Sequence, residues 1–495
     1  MPRAHVLLTL LAVLSLAATA EAAKKIKCAA GDAHCLVAAI AEANAGSREV
    51  EIQLAAGVYV LDPGSAPDLL PGGLQNTGSV TIRGAGADAT IIQRASGSAP
   101  FRIIENRGTL TIDKVTIRGG DTEDLLLAPG GGGISNDSGA TLTIIDSRIS
   151  QNKALKTGGG VMAAGTVTIV RSSISDNQAQ DGAGIAWSGT SLLITDSAIT
   201  GNLSSGFGGG IFKPLAGDIA IVNSTIAANH APFGGGIQLG VPDAPSPGPS
   251  GLVTIANSTL AGNSSLVGAG GIGGAGAFAQ NRATATLAST ILANNTSNGL
   301  GQGDCTNVGL TSGGHNLIEH SSCSGSLLAS DVIADPLLGA LVVDGPPGFA
   351  HLPLLAGSPA IDAGGVAPRR HGRGQGTPAH GHHGDADADC PREDQIGEPR
   401  VGACDIGAIE FQPPTDVVAV ADATYGKAQR LLGFLLRRPS RAAFPHRAGC
   451  LADVRMQRAG NTYVFIDQVR GCGNLDGREL TVRSSGGGEA AETIG

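Results

Sequence analysis

Short stretches that alternate apolar and polar residues recur between residues 108 and 300, separated by corners of glycine, serine or asparagine. One unit runs from Thr141 to Asn152 and the next from Thr166 to Asn177, with aliphatic residues at alternate positions of the first stretch. This period of two predicts short β-strands buried on one face. The asparagines that end the units are Asn152, Asn177, Asn202, Asn229, Asn263 and Asn294, at spacings of 25, 25, 27, 34 and 31 residues.

Each unit is too small to bury its own apolar side chains, so neighbouring units must stack on one another. Ile144, Ile149 and Val161 are the predicted inward residues of one unit. At about 4.8 Å per strand, about ten coils would make a rod on the order of 50 Å long. β-Propeller blades take about 40–50 residues, which is longer than this period. The sequence therefore predicts an all-β fold, a right-handed parallel β-helix, the hand following from the crossover preference of parallel strands.

The repeated polar residues have a structural interpretation. Serines 147, 172, 197, 224, 258 and 289 keep step with the asparagines. An identical side chain at each corner can cap backbone groups and hydrogen-bond to its copy one coil away. We therefore interpret both series as structural ladders and not as ligand-binding motifs.

Composition divides the chain into five regions. A signal peptide is predicted from the apolar run Val6 to Ala18, too short to span a bilayer, and the following Ala20-Glu-Ala22. A capping helix is predicted from Ala33 to Asn44 because its apolar residues have helical spacing. The predicted regions are 1–22 signal peptide, 23–49 N-terminal cap, 50–300 β-helix coils, 301–411 last coils with an insertion at 366–389, and 412–495 a separate, partly disordered extension.

Charge and cysteine content narrow the function classes. A net charge of −9 excludes a general nucleic-acid binder, which needs a basic surface. Aromatic residues make up only 3% of the chain, so the core must be built from small aliphatic side chains. Eight cysteines are present, and no CxxC pair indicates a zinc site. They fall into four local couples, which we expect to form disulfides in an oxidising compartment: Cys28 with Cys35, Cys305 with Cys323, Cys390 with Cys404, and Cys450 with Cys472.

Both flanks of the repeats carry motifs of known families. The stretch from Cys28 to Asn44 resembles the CSLREA-type opening of secreted bacterial proteins, although Val37 and Ala38 stand where that motif has Arg-Glu. The repeat units are similar to those of right-handed parallel β-helices and of polymorphic outer-membrane proteins. Residues 335–339, 354–364, 394–400 and 404–410 resemble the choice-of-anchor Q region, with Ile396 replacing its usual arginine. The resemblance implies an exported β-helix protein and supplies no catalytic residue.

One column of corner residues could carry chemistry. It reads Asp146, Arg171, Asp196, Asn223 and Asn257 at one-coil spacing. Two aspartates about two coils apart would approach the ~6.5–9.5 Å carboxylate separation of inverting glycosidases. The alternative, which we favour, is an ion ladder that avoids stacking like charges.

Two further segments are candidates for binding. Metal-ligand residue types cluster in the insertion, at His371, His380, His382, His383, Asp385 and Asp387. They could bind zinc, nickel or copper, but a solvated glycine-rich insertion is the favoured interpretation. A basic run from Lys427 to Arg447 could contact an anionic envelope surface or form an amphipathic helix packed on the rod.

The sequence thus favours a secreted or cell-surface β-helix that acts as a non-catalytic interaction or structural module. A polysaccharide or the cell envelope is the expected partner, with no cofactor, no nucleic acid, no transmembrane segment and a monomeric state. The alternative is an extracellular polysaccharide lyase or glycoside hydrolase, which rests on analogy of fold alone.

Overall fold

The computed structural model of the protein describes residues 23–62, 73–123, 130–241, 251–274, 283–298, 301–320, 324–365, 390–400 and 403–412, with the backbone of five strands beyond them. Within these residues the chain winds through stacked coils that contribute strands to four sheets. We number the sheets 1 to 4 in the order in which the chain visits them within a coil.

Sheets 1 and 2 lie on either side of the corner that carries the column of Asp146. Sheet 1 contains Lys24–Cys28, Val50–Leu54, Ser79–Arg83, Thr109–Asp113, Thr141–Ile145, Thr166–Val170, Ser191–Thr195, Asp218–Val222, Val253–Ala256, Ala283–Ala288, Val308–Ser312 and Ser324–Ser326. Sheet 2 contains Gly57–Leu61, Thr90–Arg94, Thr116–Arg118, Arg148–Ser150, Ser173–Ser175, Ala198–Thr200, Thr225–Ala227, Thr259–Ala261, Ile291–Ala293 and Leu317–Ile318.

Sheets 3 and 4 complete the coil. Sheet 3 contains Gln178–Ala179, Leu203–Ser204, His230–Ala231, Ser264–Ser265, Thr296–Ser297 and Gly301–Gln302. Sheet 4 contains Leu74–Asn76, Ile104–Asn106, Ile134–Asn136, Val161–Ala163, Ile185–Trp187, Ile211–Lys213, Ile237–Leu239, Ile272–Gly274 and Cys305–Thr306. Successive coils pair in parallel throughout, except that Gly301–Gln302 is antiparallel to its neighbour. The architecture is an all-β right-handed parallel β-helix, as predicted.

The core consists of columns of aliphatic side chains that repeat from coil to coil. Ile144 pairs with Ile169 in sheet 1, and Ile149 pairs with Ile174 in sheet 2. The three predicted inward residues, Ile144, Ile149 and Val161, are all fully buried. Burying each such side chain contributes about 1.5–3 kcal/mol, and the neighbouring coil supplies part of that burial. Stacking is therefore what stabilises each coil.

A helix closes the N-terminal end of the rod. It spans Ala33–Ala45, and the Asp32 side chain caps it by accepting a hydrogen bond from Cys35 N at 2.9 Å. Its buried residues are Leu36, Ala39, Ile40 and Ala43. The predicted helix is confirmed, but the strand before it, Lys24–Cys28, was not predicted. This strand pairs in parallel with Val50–Leu54. Its lysines obscure the alternation of apolar and polar residues in the sequence, and they suit a strand at the edge of a sheet.

The asparagine ladder connects the corners between sheets 2 and 3. Each amide nitrogen donates to the amide oxygen of the next asparagine at 2.9–3.1 Å, along Asn152, Asn177, Asn202, Asn229, Asn263 and Asn295. The prediction of Asn294 as the last member is wrong by one residue. Ala293 lies opposite Ala261, which places Asn295 opposite Asn263 and leaves Asn294 exposed with φ 54°. For the same reason Thr290, and not Ser289, continues the serine series.

The last strand of the coils is Ser324–Ser326, and a single parallel bridge between Leu317 and Val332 follows it in sheet 2. The chain then folds back along the outer face of sheet 2 as a return segment, which we define as residues 327–365, 390–400 and 403–412. Its apolar side chains form a second small core with sheet 2. The buried members of that core are Ile291, Ala293, Leu317, Leu354, Ala360 and Ile406.

Two of the expected disulfides are present, Cys28–Cys35 and Cys390–Cys404. Cys305 is also disulfide-bonded, whereas Cys323, Cys450 and Cys472 lie outside the described residues. The cysteines that the structure describes include no free thiol. The predicted signal peptide, the insertion at 366–389 and the basic run from Lys427 to Arg447 also lie outside the described residues.

Beyond residue 412 the described backbone forms two small antiparallel sheets. Their strands are Ala423–Thr424, Leu451–Ala459 and Thr462–Arg470 in one, and Arg478–Arg483 and Glu489–Ile494 in the other. The last of these strands lies in the extension that was predicted to be partly disordered. No helix in the described part of the chain is long and apolar enough to cross a membrane.

Candidate functional site

The predicted corner column lies between sheets 1 and 2. Asp146, Arg171 and Asp196 have φ values of 46°, 44° and 49°, and Asn223 and Asn257 follow at 51° and 48°. Aspartate and asparagine tolerate this left-handed conformation better than most residues. The residue types of the column thus follow largely from the geometry of the corner.

The first two members of the column form an ion pair. The Arg171 guanidinium binds Asp146 through both carboxylate oxygens, at 2.7 Å from Nε and 3.2 Å from Nη2. The hydrogen bond with Asp146 raises the pKa of Arg171. The pair is exposed on the arginine side, so its contribution to stability is small. Asp146 is therefore an ion-pair partner rather than a free general base.

Asp196, the third member of the column, is bonded to a residue of the next coil. Asp196 Oδ1 accepts a hydrogen bond from Asn223 Nδ2 at 2.6 Å, while burial raises the pKa of the Asp196 carboxyl group. Asn223 Oδ1 accepts in turn from Arg400 Nη2 at 3.1 Å. The column is thereby connected to the return segment.

The return segment packs against part of the corner column, at the backbone of Arg171 and Asp196. Gly348 N donates to Ser173 Oγ at 2.8 Å, and a Cβ on Gly348 would lie 2.5 Å from the Asp196 carbonyl oxygen. Gly348 also has φ +82°, so a side chain is disfavoured there by both space and conformation. Gln395 Oε1 accepts from Thr225 Oγ1 at 2.6 Å. The two aspartates consequently do not face each other across an open groove.

A buried charge network stabilises the return segment. Arg400 is fully buried and donates to Glu410 Oε2 at 3.4 Å and to Gly407 O at 2.7 Å. Asp394 Oδ1 accepts from the backbone N–H groups of Ile396 and Glu398, at 3.0 and 2.8 Å. These residues belong to the motifs that carry the choice-of-anchor Q resemblance. The structure gives them a role in folding that sequence reasoning did not assign.

Burial shifts the pKa values of two aspartates in this network. It raises the pKa of Asp394 to about 6 and that of Asp405 to about 6. Asp405 Oδ1 accepts from Asp362 N at 2.7 Å, and Asp405 Oδ2 accepts from Phe411 N. The network therefore joins all parts of the return segment and makes its stability sensitive to mildly acidic pH.

Two phenylalanines, Phe207 and Phe233, lie half-buried at the corner between sheets 3 and 4, and a third, Phe212, is buried in the sheet-4 strand Ile211–Lys213. We call Phe207, Phe212 and Phe233 the aromatic stripe. The Phe207 ring lies 5.5 Å from each of the other two ring centroids. Leu203 and Val267, which are exposed, continue the apolar surface nearby in the chain. Trp187 is fully buried, and Phe278 lies outside the described residues.

A cluster of metal-ligand residue types lies at the last coil and was not predicted. Asp304, Glu319 and His320 offer ligand atoms that all lie within 4.8 Å of one another. Burial raises the pKa of the Asp304 carboxyl group. No sequence motif joins these residues, because strands of sheets 4, 1 and 2 lie between Asp304 and Glu319. The predicted metal candidates His371, His380, His382, His383, Asp385 and Asp387 lie outside the described residues.

Comparison with known proteins agrees with the fold. A family model described as "Right handed beta helix region" matches residues 102–241, which are the regular coils. A search of curated proteins gave no match.

Proposed function

We propose that the protein is a secreted or cell-surface β-helix that binds a polysaccharide through its outer surface without cleaving it. The observation that carries this proposal is that the two aspartates of the corner column are already bonded to neighbouring side chains. Asp146 is bound by Arg171, Asp196 is bonded by Asn223, and the Gly348 backbone of the return segment packs against Arg171 and Asp196. Secretion rests on the predicted signal peptide and the disulfides.

A lyase or hydrolase would need a different arrangement. An inverting glycosidase places one acid and one base on opposite sides of the scissile bond, with room for a water molecule. In this corner the arginine lies between the two aspartates in the column, and the Gly348 backbone is packed against Asp196 and Arg171. The geometry therefore favours binding over catalysis.

The aromatic stripe is the surface we assign to the polysaccharide. Aromatic ring faces pack against the apolar C–H faces of sugar rings, and exposed apolar surface on a monomer often marks a binding site. Phe207 and Phe233 form a parallel bridge between neighbouring coils, and their ring centroids lie 5.5 Å apart, a little more than the strand spacing of about 4.8 Å. A ladder of this kind suits an extended chain of repeating units.

The test is co-sedimentation with a panel of insoluble acidic and neutral polysaccharides, together with assays for unsaturated and reducing ends. The double variant Phe207→Leu/Phe233→Leu keeps apolar volume and should lose at least tenfold in affinity. Val343→Ala, at an exposed residue of the return segment, is the matched control and should bind normally. Binding by the wild type to none of the polysaccharides, or turnover lost in Asp196→Asn, would overturn the proposal.

A further inference from the structure

The asparagine ladder ends in an aspartate. Asn295 Nδ2 donates to Asp304 Oδ1 at 2.9 Å, the bond that every earlier rung makes to an amide oxygen. An asparagine at this position would provide the same acceptor. Asp304 therefore carries a second oxygen, Oδ2, that the ladder does not use.

That second oxygen faces the cluster. Asp304 Oδ2 lies 3.4 Å from His320 Nδ1 and also accepts from His320 N at 3.2 Å. His320 Nδ1 lies 3.8 Å from Glu319 Oε2, which accepts from Asn294 N. Asp304 is fully buried, whereas the other two side chains are partly exposed. One imidazole nitrogen and two carboxylate oxygens thus converge beside the end of the ladder.

We infer that Asp304, Glu319 and His320 bind a divalent transition-metal ion, with zinc as the best fit. Ligands at about 2.0–2.2 Å from a tetrahedral zinc ion lie about 3.3–3.6 Å apart, close to the 3.4 and 3.8 Å found around His320 Nδ1. Two carboxylates and a neutral imidazole carry a charge of −2, which a divalent ion balances. Three protein ligands leave a fourth position for water.

The ion would connect two parts of the last coil. Asp304 precedes the sheet-4 strand Cys305–Thr306, and Glu319 follows the sheet-2 strand Leu317–Ile318. A metal bound between them would close the C-terminal end of the rod, as the capping helix closes the other end. Because a metal that binds the folded chain stabilises it, zinc should raise the melting temperature.

The experiment is calorimetric titration of the full-length protein with Zn²⁺, with Co²⁺ absorption as a second readout of coordination. Asp304→Asn keeps the oxygen that Asn295 uses and should fold, yet weaken zinc binding at this site at least tenfold. Asp331→Asn is the matched control, because Asp331 Oδ1 accepts from Asn316 Nδ2 at 3.0 Å in the same manner. It should bind zinc normally.

The histidine-rich insertion must be separated from this site. The variant His371→Ala/His380→Ala/His382→Ala/His383→Ala should retain one zinc equivalent and the zinc-dependent rise in melting temperature. Combining it with Asp304→Asn should abolish both. The proposal is overturned if Asp304→Asn leaves zinc binding and the thermal shift unchanged, or if the histidine variant alone removes them.

Discussion

In the repeat coils the same side chain occupies the same corner in coil after coil, whereas in the return segment each polar contact is made by a residue used once. Asn177 bonds Asn202 as Asn202 bonds Asn229. Arg400, by contrast, contacts Asn223, Gly407 and Glu410 in an arrangement without a copy among the described residues. When one member of a repeated contact is lost, the copies in neighbouring coils still hold the stack together. A contact that occurs once has no such copy to replace it.

This difference predicts that a substitution in the return segment can unfold that segment and leave the coils folded. The coils share one continuous core along the rod, while the return segment has a separate small core on the outer face of sheet 2. Solenoids unfold in units that depend on their neighbours. The return segment should therefore detach while the rod persists.

The largest effect is expected from Arg400→Met. It removes a fully buried guanidinium that bonds Gly407 and Glu410 in the return segment and Asn223 in the rod, and breaking such a buried ion pair costs about 3–5 kcal/mol. Limited proteolysis should cut the variant within residues 327–412, with unchanged β-sheet circular dichroism. Arg107→Met, which removes an exposed ion-pairing arginine, should behave like the wild type. Cooperative loss of the sheet signal in Arg400→Met would show that rod and return segment fold as one unit.

The second effect, from Asn202→Ala, concerns the rod itself. The Asn202 amide is buried and bonds Ile174 O at 2.9 Å and Asn177 N at 3.1 Å. Each buried group left without a partner costs about 1–3 kcal/mol, so we expect a loss of about 2–4 kcal/mol. Urea unfolding followed by circular dichroism measures it.

Asn294→Gly is the control for the register of the ladder. Asn294 is exposed at a positive φ that glycine adopts freely, so this change should cost less than 1 kcal/mol. If Asn294→Gly destabilised the protein as much as Asn202→Ala, the assignment of Asn295 to the ladder would be wrong.

Sequence reasoning succeeded where the structure repeats and failed where it does not. The inward columns, the ladder and the capping helix follow from local patterns, so they could be read from the chain. The one-residue error at Asn294 arose because Asn294 and Asn295 are identical, and only strand pairing chooses between them. The packing of the return segment on Asp196 and the cluster around Asp304 bring together residues that are distant in sequence. No local sequence pattern predicts such contacts.

The smallest effect should come from pH and should be greatest in the return segment, because Asp394 and Asp405 have more strongly raised pKa values than the buried aspartates of the rod. Burial raises the pKa of Asp394 and Asp405 to about 6, above the value of about 3.9 expected in an unfolded chain. Between these values the folded segment binds protons that the unfolded segment releases, so its stability should rise as pH falls from 7.5 to 5. The pKa values of about 6 already include the backbone N–H bonds that favour the ionised form, so each carboxyl group adds on the order of 1 kcal/mol over this range. Hydrogen exchange, corrected for its intrinsic pH dependence, should show stronger protection of the amides of residues 394–411 at pH 5. The amides of Thr166–Val170, which lie in the rod, provide the internal reference and should not change. Equal shifts in both sets would assign the pH response to the whole molecule and remove the distinction between the two regions.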